Sequence, residues 1–153
     1  MWKRKKQKKS EEKIEYEKRS IPIEEVRKAI HQYAAQMPDG VPLSVIIHED
    51  LTIDYDLLSP YLNGIPTETY YMSKETYELF PEQDYQLAKD LDTVQRAVDH
   101  YIKSTKEVPV IDDDPSKRVS FFKLEREHLL PYRPGRDFYI TDEEFLVTYK
   151  APK

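Results

Sequence analysis

The chain has 153 residues, no cysteine, twelve tyrosines and a formal net charge of −5, set by 24 Lys/Arg against 29 Asp/Glu. That length holds one full core or two small ones. The lack of cysteine excludes disulfides and thiolate chemistry and suits a reducing, cytoplasmic setting. No apolar run reaches the roughly 18 residues of a membrane helix, and the basic start is not followed by the apolar stretch of a secretory signal.

Charge is unevenly placed. Residues 1–19 hold nine Lys/Arg and four Glu, whereas the rest holds fifteen Lys/Arg and twenty-five Asp/Glu. The start, Met1-Trp2-Lys3-Arg4-Lys5-Lys6-Gln7-Lys8-Lys9, repels itself and is expected to be a disordered tail over residues 1–20. Pro22 suits a helix start, and Ile23, Val26, Ile30, Tyr33 and Ala34 follow at helical spacing until Met37-Pro38-Asp39-Gly40 ends the run. Leu43 to Ile47 reads as a strand. Asp54 to Leu62 carries an aromatic-x-Leu-x4-Leu pattern, which suits a short helix ended by Asn63-Gly64. Ser73 to Phe80 fits either a capped helical turn or a hairpin closed by Pro81. Leu91, Val94, Val98, Tyr101 and Ile102 form a second amphipathic helix. Ile111 to Pro115 is loop, Phe122 to Leu130 a short helix, and Phe138 to Thr141 with Phe145 to Tyr149 a hairpin.

Superposed on itself at an offset of 67 to 68 residues, the chain is a tandem repeat. Ile23 to Tyr33 lies over Leu91 to Tyr101, and Tyr70 to Tyr77 lies over Phe138 to Phe145. Val41-Pro42-Leu43 matches Val108-Pro109-Val110. Tyr55, Leu57 and Leu62 match Phe122, Leu124 and Leu129. The predicted fold is α+β: two tandem helix-plus-β-hairpin units, residues 21–83 and 84–153, packed about a pseudo-two-fold axis as one globule. The groove between them is the natural site for a ligand or peptide. The equivalence with the C-terminal hairpin argues that Ser73 to Phe80 is a hairpin too.

The signature is a helix, Val-Pro, aromatic-x-Leu-x4-Leu, Pro, then Tyr-[Met/Ile]-[Ser/Thr]-x-Glu-x-aromatic. It is carried by Asp54 to Pro66, Tyr71 to Thr76 and Phe138 to Thr148, with the Met-Trp-Lys-Arg-Lys-Lys start. It resembles a family of small uncharacterised proteins from Bacillus and its relatives. The resemblance runs over nearly the whole chain and implies no activity and no functional residues. A weaker likeness is to the globular part of type IV pilin-like proteins, but the long apolar N-terminal helix of those proteins is absent.

Chemistry-bearing motifs are sparse. His31, His48, His100 and His128 do not pair at helical spacing, and neither helix histidine is kept in both copies, so all four read as surface residues. Asp112-Asp113-Asp114 could hold a hard cation, but it lacks the alternating ligands and glycine of an EF-hand and reads better as a turn. Glu75 and Glu143 repeat, and read as turn residues bonding nearby backbone N–H groups or a lysine. The three glycines build no phosphate loop. Tyr33, Tyr55, Tyr71, Tyr101 and Tyr139 fall on repeated apolar positions, so most of them belong to the core, leaving Tyr61, Tyr70, Tyr132 and Tyr149 as the better candidates for exposure.

These observations point to a non-enzymatic cytoplasmic interaction protein with a protein or peptide partner, and to no cofactor or metal. The candidate interaction residues are Trp2, Lys3, Arg4, Lys5, Lys6, Lys8 and Lys9 in the tail, with Tyr61 and Tyr132 on the body. Two alternatives stand beside it: a peripheral adaptor held to an anionic membrane surface by the tail, and an enzyme with an unrecognised site in the inter-unit groove. Nucleic acid is disfavoured, because the acidic body repels phosphate.

Overall fold

A computed structural model describes residues 15–152. The polypeptide enters as β1 (Lys18–Arg19), which pairs in parallel with β2 (Ile65–Pro66). These two residues were assigned to the tail by charge alone; here they are tied to the body. Arg19 donates to the carbonyl of Leu62 at 2.7 Å, Ile21 N–H donates to Glu68 at 2.9 Å, and Tyr70 hydroxyl donates to Ile21 carbonyl at 2.6 Å.

Pro22 then starts α1 (Ile23–Ala35), with Glu24 and Glu25 in the first turn, where acidic side chains suit the helix dipole. Leu43–Ile46 is a 3-10 helix rather than the expected strand. Pro42 supplies the φ of −74° that opens such a turn, and burial does not alternate: Ile46 and Ile47 are both buried, while Val45 is exposed. Only Ile47 pairs, with Ile53, across a tight turn. Asp54 caps α2 (Tyr55–Leu62) by accepting from Asp56 N–H. Asn63, at φ 52°, ends that helix in the left-handed conformation. Gly64 follows against Arg19: a Cβ there would lie 2.8 Å from the guanidinium Nε.

The ambiguous segment is a hairpin. β3 (Tyr70–Met72) and β4 (Leu79–Pro81) run antiparallel with Tyr71 opposite Phe80. A 3-10 turn at Glu82–Asp84 leads into α3 (Tyr85–Thr105). This helix starts well before the predicted Leu91, because Leu87 and Ala88 extend its buried face. It ends at Lys106, which adopts φ 64°. Ser120 caps α4 (Phe121–Arg126), and β5 (Tyr139–Ile140) pairs with β6 (Val147–Thr148). The result is α+β, with three separate two-stranded sheets among the described residues.

One continuous core draws residues from both halves, from Ile21 to Val147. α3 is its centre, and its buried side chains lie on several faces. It packs on β3 and β4 from the first half and on α4 and β6 from the second. Two polar residues one turn apart hold the two hairpins to it. Asp92 accepts from Ser73 hydroxyl, Lys74 N–H at 3.0 Å and Glu75 N–H at 3.1 Å. Gln95 accepts from Val147 N–H at 2.7 Å and donates to Phe145 carbonyl at 3.2 Å.

Both halves run helix, short helix, hairpin, although β1, β2 and the 3-10 helix at Leu43–Ile46 have no counterpart in the second half, and the contacts do not show the predicted two-fold relation. α1 makes its principal contacts with α2 and β4. Glu24, the sequence counterpart of Asp92, pairs with Arg27 on its own helix instead of reaching the second hairpin. The two long helices therefore differ in their contacts, with α3 placed between the hairpins. The register of the short helices also shifts by one residue from the sequence superposition. Asp54 and Ser120 are the equivalent caps, and Leu58 and Leu124 are the equivalent fully buried residues.

Replacing Asp92 with Ala strips three donors of their acceptor in a buried position. We expect a loss of about 3 kcal/mol of folding stability, read as a lower urea midpoint with an unchanged m-value.

Candidate functional site

A groove of about 500 Å³ lies where the halves meet. Its deep residues are Leu51, Asp92 and Thr93, all buried. Lys74 comes from the first hairpin turn, Lys89 and Arg96 from α3, and Tyr132 from the loop after α4. The placement of α3 between the hairpins is what brings these segments together.

Tyr132 is 41% exposed, yet its hydroxyl is anchored. It donates to Asp90 at 2.6 Å, and Asp90 also accepts from Gln86 at 2.9 Å. Burial and then the bond to Asp90 push the Tyr132 hydroxyl above the usual tyrosine pKa, so it is a protonated donor. At the other side Tyr85 stacks on Tyr71, with ring centroids 4.3 Å apart, and the Lys89 ammonium lies 4.4 Å from the Tyr85 centroid. Of the two carboxylates lining the groove, Glu49 is exposed and Asp92 is buried, its oxygens already engaged by the hairpin turn. Arg96 reaches Glu75 at 3.7 Å. Leu51 sits at φ 72°, a strained conformation for a leucine. It is held there by burial and by Met72 N–H donating to its carbonyl at 2.9 Å.

Of the sequence candidates, Tyr132 lines this groove and Tyr61 does not. Tyr61 is exposed, edge-on to Tyr33 at 6.1 Å. Trp2, Lys3, Arg4, Lys5, Lys6, Lys8 and Lys9 lie outside the described residues. Tyr70 is buried, a correction to its expected exposure: its hydroxyl reaches back to Ile21, so it behaves as a tie between the chain entry and the sheet. Tyr149 is half-buried, and its hydroxyl donates to Glu78 at 2.9 Å. Burial, then Glu78, raises its pKa to about 12.

All four histidines are exposed. Asp114 accepts from Ser116 N–H at 2.8 Å, a turn role, while Asp112 pairs with Lys123 at 2.8 Å. Among the described residues no group of three His, Asp or Glu side chains is placed to hold a metal. Glu75 does not bond the turn N–H groups as expected; Asp92 does that from α3. Lys74, Lys89 and Arg96 escaped the sequence reading, because single cations in a charged chain carry no signal. Asp90, Asp92 and Gln95 did leave one. They break into the apolar face of α3, which is what a helix buried on several sides requires.

The chain belongs to a family described as protein of unknown function (DUF3939), whose model matches residues 16–149. No curated protein and no solved structure matches it. No helix among the described residues is long and apolar enough to cross a membrane.

Burial, with help from Asp92 and Asp99, raises the Glu75 pKa despite the opposing pull of Arg96. A carboxyl raised in the folded state holds its proton more tightly there than when unfolded. Its contribution therefore favours folding at low pH and is lost as pH rises from the ordinary value of 4.5 through the folded pKa. Glu75→Gln removes this term. The variant's melting temperature should gain on the parent's as pH rises above the ordinary carboxyl value of 4.5.

Proposed function

We infer that the protein is a non-catalytic interaction protein that receives a protein or peptide partner in the groove between its halves. The observation that carries this reading is the groove itself, assembled from the first hairpin turn, α3 and the loop bearing Tyr132. Anchored aromatic rings beside cations are what a peptide needs: rigid area at low entropy cost, with charge at the rim for steering. Among the described residues Lys74 and Lys89 make no ion pair, which favours a partner segment carrying acidic side chains.

An enzymatic use of the same groove would draw on Asp92 or Tyr132. Asp92 already accepts three hydrogen bonds, and the Tyr132 hydroxyl keeps its proton and gives its hydrogen bond to Asp90. Both features favour binding over proton transfer.

The test is capture from native lysate with the full chain, beside Gln86→Trp, which fills the groove, and Lys74→Glu/Lys89→Glu, which reverses its charge. A partner should be retained by the parent and reduced about tenfold or more by both variants. Equal capture by all three rejects the groove.

A second reading rests on the sequence of the tail, where Trp2 stands beside six basic residues within the first nine. Each is worth about 1 kcal/mol near an anionic leaflet. As a peripheral adaptor, the full chain would float with phosphatidylserine vesicles and be released by about 0.5 M salt. A chain with those six residues changed to Gln would not float. Failure of the parent to float rejects this reading.

A further inference from the structure

The two hairpins are built alike but covered differently. Each has the same turn closure: Ser73 N–H bonds Glu78 carbonyl and Thr141 N–H bonds Leu146 carbonyl, both at 2.9 Å. Each is bridged by the same preceding loop, Thr52 to Tyr71 and Arg118 to Tyr139. In both loops the residue before the bridge has positive φ, Leu51 at 72° and Lys117 at 57°. Position by position, Tyr71 corresponds to Tyr139, Ser73 to Thr141, Lys74 to Asp142 and Phe80 to Thr148.

On the first hairpin the Tyr71–Phe80 face is covered by the start of α3 at Tyr71 and by Tyr149 at Phe80, whose ring centroids lie 5.9 Å apart. Tyr85 stacks on Tyr71, Phe80 is 2% exposed, and Asp92 caps the turn N–H groups. On the second hairpin the inner face, Ile140 and Val147, is buried, and Gln95 of α3 bonds its backbone. The outer face, Tyr139 and Thr148, opens on a groove of about 340 Å³ that also takes in Thr141, Asp142 and Lys117. Among the described residues no helix covers it. The N–H of Asp142, counterpart of the Lys74 N–H that Asp92 accepts from, makes no hydrogen bond among them.

We propose that this outer face is a seat for an α-helix of a partner protein, which docks on the second hairpin as α3 docks on the first. The chain supplies its own template for the occupant. The partner helix carries an aromatic residue that stacks on Tyr139, as Tyr85 does on Tyr71. Two turns further on it carries an Asp or Glu that accepts from the Asp142 N–H, as Asp92 does from Lys74. Two cations, Lys117 and Lys150, line the groove beside a single carboxylate, Asp142, which pairs with Lys117 at 2.6 Å; Glu143 and Glu144 of the same turn line a different depression. This seat is separate from the groove between the halves, so its failure leaves that reading standing.

The probe is a synthetic peptide with the sequence of residues 82–105, titrated into the nitrogen-15-labelled full chain. We expect backbone shifts centred on Ile140, Thr141, Asp142 and Thr148. Binding should weaken about tenfold or more with Thr148→Arg or Tyr139→Ala, each checked for an otherwise unchanged spectrum, and with Asn in place of Asp92 in the peptide. Three outcomes overturn the proposal. One is no shift up to about 1 mM peptide. Another is shifts centred on Ser73 to Glu75, which mean displacement of α3 itself. The third is self-association of the peptide-free chain that Thr148→Arg abolishes, which makes a second copy the occupant.

Discussion

The carboxylate of Asp92 closes the turn of the first hairpin from a neighbouring helix, and the rest of the architecture depends on that contact. A short hairpin of three-residue strands is marginal by itself. Its turn N–H groups need an acceptor, and Asp92 meets two of them together with the Ser73 hydroxyl. The geometry fixes both the height and the rotation of α3 against the first half. Gln95, one turn on, then sits where its amide can bond the backbone of the second hairpin at Phe145 and Val147. Two polar side chains on one helix thereby set the spacing of the halves. The groove follows, since Lys74 enters it from the turn that Asp92 holds and Arg96 from the turn of α3 just beyond Gln95.

Local features of this arrangement were legible in the sequence. Apolar stripes, Pro22, the Asp54 cap and Asn63-Gly64 act within a few residues, and so does the turn chemistry of the hairpins. The repeat settled the segment from Ser73 to Phe80, which periodicity alone left between helix and hairpin. Leu43 to Ile47 was misread because an aliphatic run has no period to separate a buried strand from a 3-10 turn. The one-residue slip at Leu58 came from matching common residue types instead of caps. The packing of the units was not legible at all. Glu24 and Asp92 are aligned acids, and nothing local says that one pairs with its own helix while the other crosses to a hairpin. The exposure of Tyr132 was legible because it falls outside the repeated core positions. Tyr70 was misassigned, since its burial depends on the chain entry folding back over it.

Strain follows the same latches. Tyr77 and Phe145 occupy equivalent turn positions, with φ of 62° and 61°, and both rings are exposed. Left-handed aromatic residues cost on the order of 1–3 kcal/mol each and persist only where surrounding contacts over-determine them. Here those contacts are backbone ones. Phe145 is held through its carbonyl by Gln95, and Tyr77 N–H bonds the carbonyl of Ser73, whose hydroxyl is bound by Asp92. The rings are thus presented by the helix without being packed against it.

Where the halves differ, the differences have a common physical direction. Leu51 becomes Lys117, Lys74 becomes Asp142 and Phe80 becomes Thr148. The first and last of these exchange apolar surface for polar surface, and the Lys117–Asp142 pair replaces an isolated cation. A hairpin permanently covered by a helix gains from burying leucine and phenylalanine. One whose outer face meets water for part of its life would lose by displaying them. Tyr139 keeps its aromatic character at the one position where α3 makes a ring-to-ring contact on the first hairpin. That combination, polar enough to stand uncovered yet shaped and hydrogen-bonded to take a helix, is what a reversible seat requires. An obligate interface would have kept the leucine and the phenylalanine.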